Sequence, residues 1–158
     1  MVRVLFVCLG NICRSPMAEA VFRHLVEENN LADKIITDSA GTASWHHGKP
    51  PHSGTREKLD ELRISYDGMT ARQIKADDFN QFDYIITMDE QNLNDITSSF
   101  DFTDDVVVRR LMDFVPEPKE INVPDPYYTG DFDYTYELVE EASIRLLEHI
   151  NNHHQLKG

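Results

Sequence analysis

Cysteine is scarce in this chain: two in 158 residues, Cys8 and Cys13, both inside one short segment. That excludes the disulfide framework of a small secreted fold and makes a reducing compartment the expectation. Two thiols with no further ligands beside them are a poor metal site, and His46, His47 and His52 match no metal-ligand spacing. No metal and no cofactor are expected. Long apolar runs are also missing, since none approaches the about 20 residues that span a bilayer. Residues 2–9 are mostly apolar, but they are too few for a signal peptide and lead into a loop rather than a cleavage site. A cytoplasmic location is therefore expected, with signal-less secretion left open. Basic residues are few, 15 against 28 acidic ones, for a net charge of −13. Nucleic acid is excluded as a partner, because binding its backbone needs clustered Lys and Arg. An anionic ligand would have to rely on local positive potential.

What is present reads as one ordinary globular domain spanning residues 1–158, with 41% apolar and 27% charged residues. Its pattern alternates between strands and helices. Residues 2–8 predict a strand and 16–29 a helix, with Met17, Ala20, Val21 and Leu25 on one face and Ser15 as N-cap. Strands follow at 34–39, 82–88 and 106–108. Helices are expected over 53–63, from Asp89 onward, and over 132–152. This alternation predicts a three-layer α/β fold: a doubly wound four-stranded parallel sheet with helices on both faces. Ligands of such sheets bind at the carboxyl ends of the strands, near a topological switch point. Two irregular stretches, 41–52 and 114–130, are long enough to border a pocket.

The segment after the first strand carries the chemistry: Cys8-Leu9-Gly10-Asn11-Ile12-Cys13-Arg14-Ser15, then Pro16-Met17-Ala18-Glu19. A tight loop between a strand and a helix N-terminus can turn its backbone N–H groups onto an anion. Positive potential at the bottom of such a cradle favours a thiolate over a thiol. Arg14 can offer two parallel donors to phosphate oxygens, which lysine cannot. Gly10 and Asn11 suit a loop that needs positive φ. Thiolate, amide cradle and guanidinium together fit phosphoryl transfer.

This segment resembles the signature of the low-molecular-weight protein tyrosine phosphatases, in the bacterial style. A second, distant match is Asp125-Pro126-Tyr127-Tyr128, similar to the family's general-acid loop. The resemblance implies Cys8 as nucleophile, Arg14 as phosphate clamp and Asp125 as general acid and base. It implies a substrate pocket built from Leu9, Gly10, Asn11, Ile12, Cys13 and Ser15, with Trp45, Tyr127 and Tyr128 as aromatic walls. It further implies that Asn11 bonds to Ser39 to hold the loop, that the Ser15 hydroxyl donates to the Cys8 thiolate beside its capping role, and that Asp89 supports the loop architecture, with helix capping as the competing role. Cys13 is either a small packing residue or a redox partner of Cys8.

The implied activity is hydrolysis of phosphotyrosine in proteins through a phosphocysteine intermediate, by a monomer or weak dimer. Three rivals stand beside it. The arginine-phosphatase branch carries threonine where Ile12 sits and lacks the paired tyrosines. Thiol-relay arsenate reductases need further cysteines. A phosphocysteine phosphocarrier has no need of Arg14 or Asp125.

Overall fold

The computed structural model describes residues 1–156. Four strands, β1 (Val2–Cys8), β2 (Ile35–Gly41), β3 (Tyr84–Thr87) and β4 (Val107–Arg110), form one sheet in the order β2-β1-β3-β4. Every pairing is parallel. The connections carry α1 (Arg14–Glu28), α2 (Ser53–Glu61), α3 (Asp78–Gln81) and α4 (Glu90–Ser99). After β4 come a 3₁₀ turn (Leu111–Phe114), the short α5 (Pro126–Thr129) and the long α6 (Phe132–His154). Among the described residues, no helix is long and apolar enough to cross a membrane.

Alternation along β1 divides the interior into two cores. Val2, Val4, Phe6 and Cys8 point to one face and pack with α1, α2 and α6, where Phe6 meets Phe22 edge-on at 5.5 Å. Leu5 and Val7 point to the other and pack with Phe79 of α3 and Ile96 of α4. Both faces of β1 are buried, as an apolar parallel strand requires. The sheet is thus doubly wound, with β1 pairing to β2 on one side and β3 on the other. The chain leaves β1 at the switch point of the sheet, and residues 9–13 form the loop there.

The expected strands and long helices are present. The short α3, α5 and the 3₁₀ turn were not expected, because four residues are too few to carry a helical period. Ser15 does not cap α1: the N-cap is Cys13, without a side-chain cap, and the Ser15 hydroxyl lies against Cys8 instead. His149, His153 and His154 lie on the exposed C-terminal end of α6. His154 Nε2 meets the buried Tyr84 hydroxyl at 2.9 Å, and His149 packs between Tyr84 and Phe114. Burial, and then the charges of His153, Arg109 and His154, hold the His149 imidazolium below its ordinary range.

Candidate active site

The loop between β1 and α1 has its carbonyls turned outward. Thr42 and Ala43, just past β2, donate to the oxygens of Cys8 (2.9 Å) and Leu9 (3.0 Å). His52 N–H reaches the Ile12 oxygen at 2.7 Å, and the buried Thr55 hydroxyl reaches that of Cys13 at 3.1 Å. The N–H groups of Gly10, Ile12, Cys13, Arg14 and Ser15 have no protein partner among the described residues. Carbonyls fixed outward and donors left over make a cup with affinity for an anion. Close packing enforces this shape. A Cβ on Gly41 would stand 2.8 Å from the Leu9 oxygen, so only glycine lets β2 approach the loop here.

Asn11 holds the inside of the cup. It is the loop residue with positive φ, 56°; Gly10 does not share it, contrary to the expectation from sequence. Gly10 is constrained by space instead, since a Cβ there would lie 3.0 Å from the His46 ring. The Asn11 backbone N–H donates to Cys8 Sγ at 3.3 Å. Its side-chain amide donates to Ser15 Oγ (2.7 Å) and to Ser39 Oγ (3.0 Å), the latter as the resemblance implied. Ser15 Oγ lies 3.1 Å from Cys8 Sγ.

Arg14 is 2% exposed. One Nη donates to Asp89 (2.6 Å) and to the Val123 carbonyl (2.9 Å), and the other to Asp125 (3.3 Å). Its Nε is buried with no partner. Burial opposes the charge on Arg14, but negative charge at Cys8, Asp89 and Asp125 more than offsets it and holds the guanidinium's affinity for its proton above the ordinary value. Asp89 fills both roles weighed from sequence. One oxygen caps α4 through the Asn92 N–H (2.7 Å), and the other binds Arg14.

Asp125 caps α5 through the Tyr127 N–H (3.1 Å), with Pro126 opening that helix. Its ψ of 110° is the extended conformation that a following proline favours. Cys8, Leu9, Gly10, Ile12, Cys13, Trp45, His46, Asp125, Tyr127 and Tyr128 line one cavity of ≈ 270 Å³. Trp45 and Tyr128 are open to solvent, at 68% and 73% exposed, so the lone tryptophan is a rim residue rather than a core one. Asn11, Arg14 and Ser15 lie buried behind the lining residues.

Sequence reasoning missed His46. Its ring packs on Gly10 and lies 6.2 Å from that of Tyr127, closing the wall between the loop and the aromatic rim. The signal available was its position next to Trp45. His52 was also set aside; it caps α2 through Gly54 N–H (3.0 Å) and stacks on Phe132 at 5.3 Å. His47 is exposed.

Both thiols are free. Burial, reinforced by the charges of Asp125 and Cys8, pushes the Cys13 thiol from 9.0 up to about 12. Between those limits an unfolded chain loses this proton while the folded one keeps it, so stability falls as pH rises across that window. Urea unfolding of Cys13→Ala should show a shallower alkaline decline above pH 9 than the parent; equal slopes would contradict the assignment.

The model of the family described as low molecular weight phosphotyrosine protein phosphatase matches residues 3–156. The low molecular weight protein-tyrosine-phosphatase YfkJ of Bacillus subtilis is 49% identical over 156 residues, 99% of this chain and 100% of the relative. PtpA of Staphylococcus aureus, with the same description, is 42% identical, the match covering 99% of each chain. The crystal structure of YfkJ superposes with a TM-score of 0.94 over 97% of this chain and 96% of that one, at 48% identity. A Drosophila arginine phosphatase superposes with a TM-score of 0.85 over 92% of this chain and 96% of that one, at 34% identity.

Proposed function

The chain belongs to the low molecular weight phosphotyrosine protein phosphatase family, and from that premise we propose that it hydrolyses phosphotyrosine in proteins through a phosphocysteine on Cys8. The observation that carries the reading is the cavity itself: a sulfur at the floor of a donor-lined cup, a carboxyl group at its side and aromatic walls above.

The chemistry follows from these groups. Cys8 Sγ, as thiolate, attacks phosphorus opposite the aryl oxygen. The S–P bond forms as the P–O(aryl) bond breaks. Asp125 as the acid gives its proton to the departing phenolic oxygen. Water then attacks the phosphocysteine, Asp125 as carboxylate takes one of its protons, and inorganic phosphate leaves with the thiolate restored. The unpartnered N–H groups and Arg14 Nε supply donors for the equatorial oxygens, where negative charge is spread during transfer. Arg14 also ties the steps together. A phosphoryl group drawing on its guanidinium competes with the 3.3 Å pair to Asp125 and loosens that carboxyl group for proton transfer. The Ser15 hydroxyl, 3.1 Å from Sγ, stabilises the sulfur as it leaves phosphorus.

Phosphotyrosine is favoured over phosphoarginine by Ile12 in the lining and by the aromatic rim of Trp45, Tyr127 and Tyr128, which suits a flat apolar ring. A phosphoserine is too short to bring its phosphate to the floor of such a slot. A phosphocarrier would leave Arg14 and Asp125 without a task, and an arsenate reductase would need a thiol beyond Cys13. Two free thiols fit a cytoplasmic site of action. The test is kcat/KM on a phosphotyrosine peptide and on phosphoarginine. The parent should prefer phosphotyrosine by about a hundredfold or more, and Ile12→Thr should narrow that ratio. A preference for phosphoarginine would overturn the substrate assignment.

A further inference from the structure

Glu19 is 6% exposed, carries a titratable carboxyl group, and has no task in the mechanism above. We propose that Glu19 is a positioning residue: by accepting from Ser39, its carboxylate holds the Asn11 amide in place and so steadies the hydrogen bond that Ser15 gives to Cys8. The inference rests on the role of Cys8 proposed above.

Donor and acceptor bookkeeping fixes each link. The Arg72 backbone N–H can only donate, and it faces Asn11 Oδ1 at 3.0 Å. The Asn11 NH₂ is therefore turned toward the two serines, and both of its hydrogens are committed, to Ser15 Oγ and Ser39 Oγ. Each serine oxygen accepts from Asn11 and has its own hydrogen left to place. That of Ser39 goes to Glu19 Oε1 at 2.7 Å. That of Ser15 has Cys8 Sγ at 3.1 Å, with the Ala40 oxygen farther away at 3.5 Å. The bonds therefore run outward from the Asn11 amide in both directions, through Ser39 to the Glu19 carboxylate and through Ser15 to Cys8. Such buried chains strengthen cooperatively when every member is satisfied. Without Glu19 the Ser39 hydrogen has no acceptor there. Ser39 then turns away, Asn11 loses a partner, and the strained positive φ of Asn11 loses part of its support.

Arg72 anchors the other side. Its guanidinium grips the buried Asp78 with two bonds (3.0 and 3.1 Å) and Asp38 with a third (3.0 Å), which keeps its N–H on Asn11. The charged groups facing Glu19 are Arg23 of α1, 3.9 Å from Oε2, Asp38 of β2, and Asp67 and Arg72 across a shared cleft. Burial holds Glu19 above the usual carboxylate range; the Ser39 bond opposes this, Asp38 adds to it, and Arg23 and Arg72 oppose it. Glu19 is thus the link that acid conditions would neutralise first.

The test uses the full chain carrying Glu19→Ala, Glu19→Gln, Ser39→Ala, Ser15→Ala and the Glu19→Ala/Ser15→Ala pair. kcat and KM for para-nitrophenyl phosphate, the kcat–pH profile, iodoacetamide labelling of Cys8 and thermal unfolding are measured together. Glu19→Ala should lower kcat about tenfold with little change in KM, and should slow labelling of Cys8 at neutral pH. Glu19→Gln keeps an acceptor oxygen, so it should recover most of the rate while flattening the acid limb of the profile. The double variant should be no worse than Ser15→Ala, because both changes break one chain. Additive losses, or parental labelling in a folded Glu19→Ala protein, would overturn the proposal. If Glu19→Ala does not fold, Ser39→Ala replaces it in every comparison under the same criteria. Failure of the underlying reading shows separately, as turnover that persists in Cys8→Ser.

Discussion

Cys8→Ser should turn over no aryl phosphate, with kcat reduced by at least about 10⁴-fold. The reason lies in what surrounds the sulfur. Its hydrogen-bond neighbours are the Asn11 N–H, which donates, and the Ser15 hydroxyl, which donates once the sulfur is a thiolate. Donors stabilise an anion that already exists. They cannot remove the proton of a serine hydroxyl, which would need an adjacent general base. Binding should survive, because the loop donors and Arg14 are untouched, so inorganic phosphate should still bind the variant with near-parental affinity. Lost turnover with retained phosphate binding is the expected pair of results, read from steady-state kinetics and calorimetry. Residual turnover within tenfold of the parent would remove Cys8 from the mechanism.

Asp125→Asn should slow hydrolysis of phosphotyrosine by about 10²–10⁴-fold, the usual range for loss of a general acid. The size of the loss should depend on the leaving group. An activated phenol such as para-nitrophenol departs without much help, whereas tyrosine does not. The ratio of losses on the two substrates therefore separates proton donation from a general disturbance of the pocket. Asparagine keeps an oxygen able to accept the Tyr127 N–H that begins α5, so the rim should stay in place. It removes one of the two carboxylates on Arg14, leaving Asp89 and the Val123 oxygen to hold the guanidinium. Phosphate should then bind at least as tightly as before. An equal loss on both substrates, or a loss confined to KM, would argue that Asp125 serves only to hold Arg14.

The sheet and its winding were legible because they depend on patterns of several residues. The apolar run of β1 and the helical periods of α1 and α6 are long enough to state their own geometry. The loop was legible because its contents, a cysteine, small residues and an arginine ahead of a helix, suit an anion wherever they stand in that order. Contacts that depend on distant segments meeting were not legible. The partnership of Arg14 with Asp89, the Val123 oxygen and Asp125 joins three parts of the chain up to 111 residues apart. His46 looked like one of several histidines in a polar loop until the fold laid its ring on Gly10. Of the two roles open to Ser15, helix cap and partner of Cys8, the structure keeps only the second, and its bond from Asn11 was not foreseen. Glu19, counted as one more letter of a signature, lies at the end of a buried chain of hydrogen bonds. For Arg14, Ser15 and Glu19 the deciding contacts are side-chain hydrogen bonds, and for His46 it is ring packing.

The most direct test of the account is to trap the covalent intermediate. Asp125→Asn is mixed with a phosphotyrosine peptide, quenched within milliseconds and digested, and the peptide containing Cys8 and Cys13 is sequenced by mass spectrometry. The account predicts one phosphoryl group, on Cys8 and absent from Cys13, that appears before free phosphate and decays as phosphate is released. Phosphate released with no phosphoryl group on Cys8 at any time would contradict it, and would mean that water attacks the substrate directly.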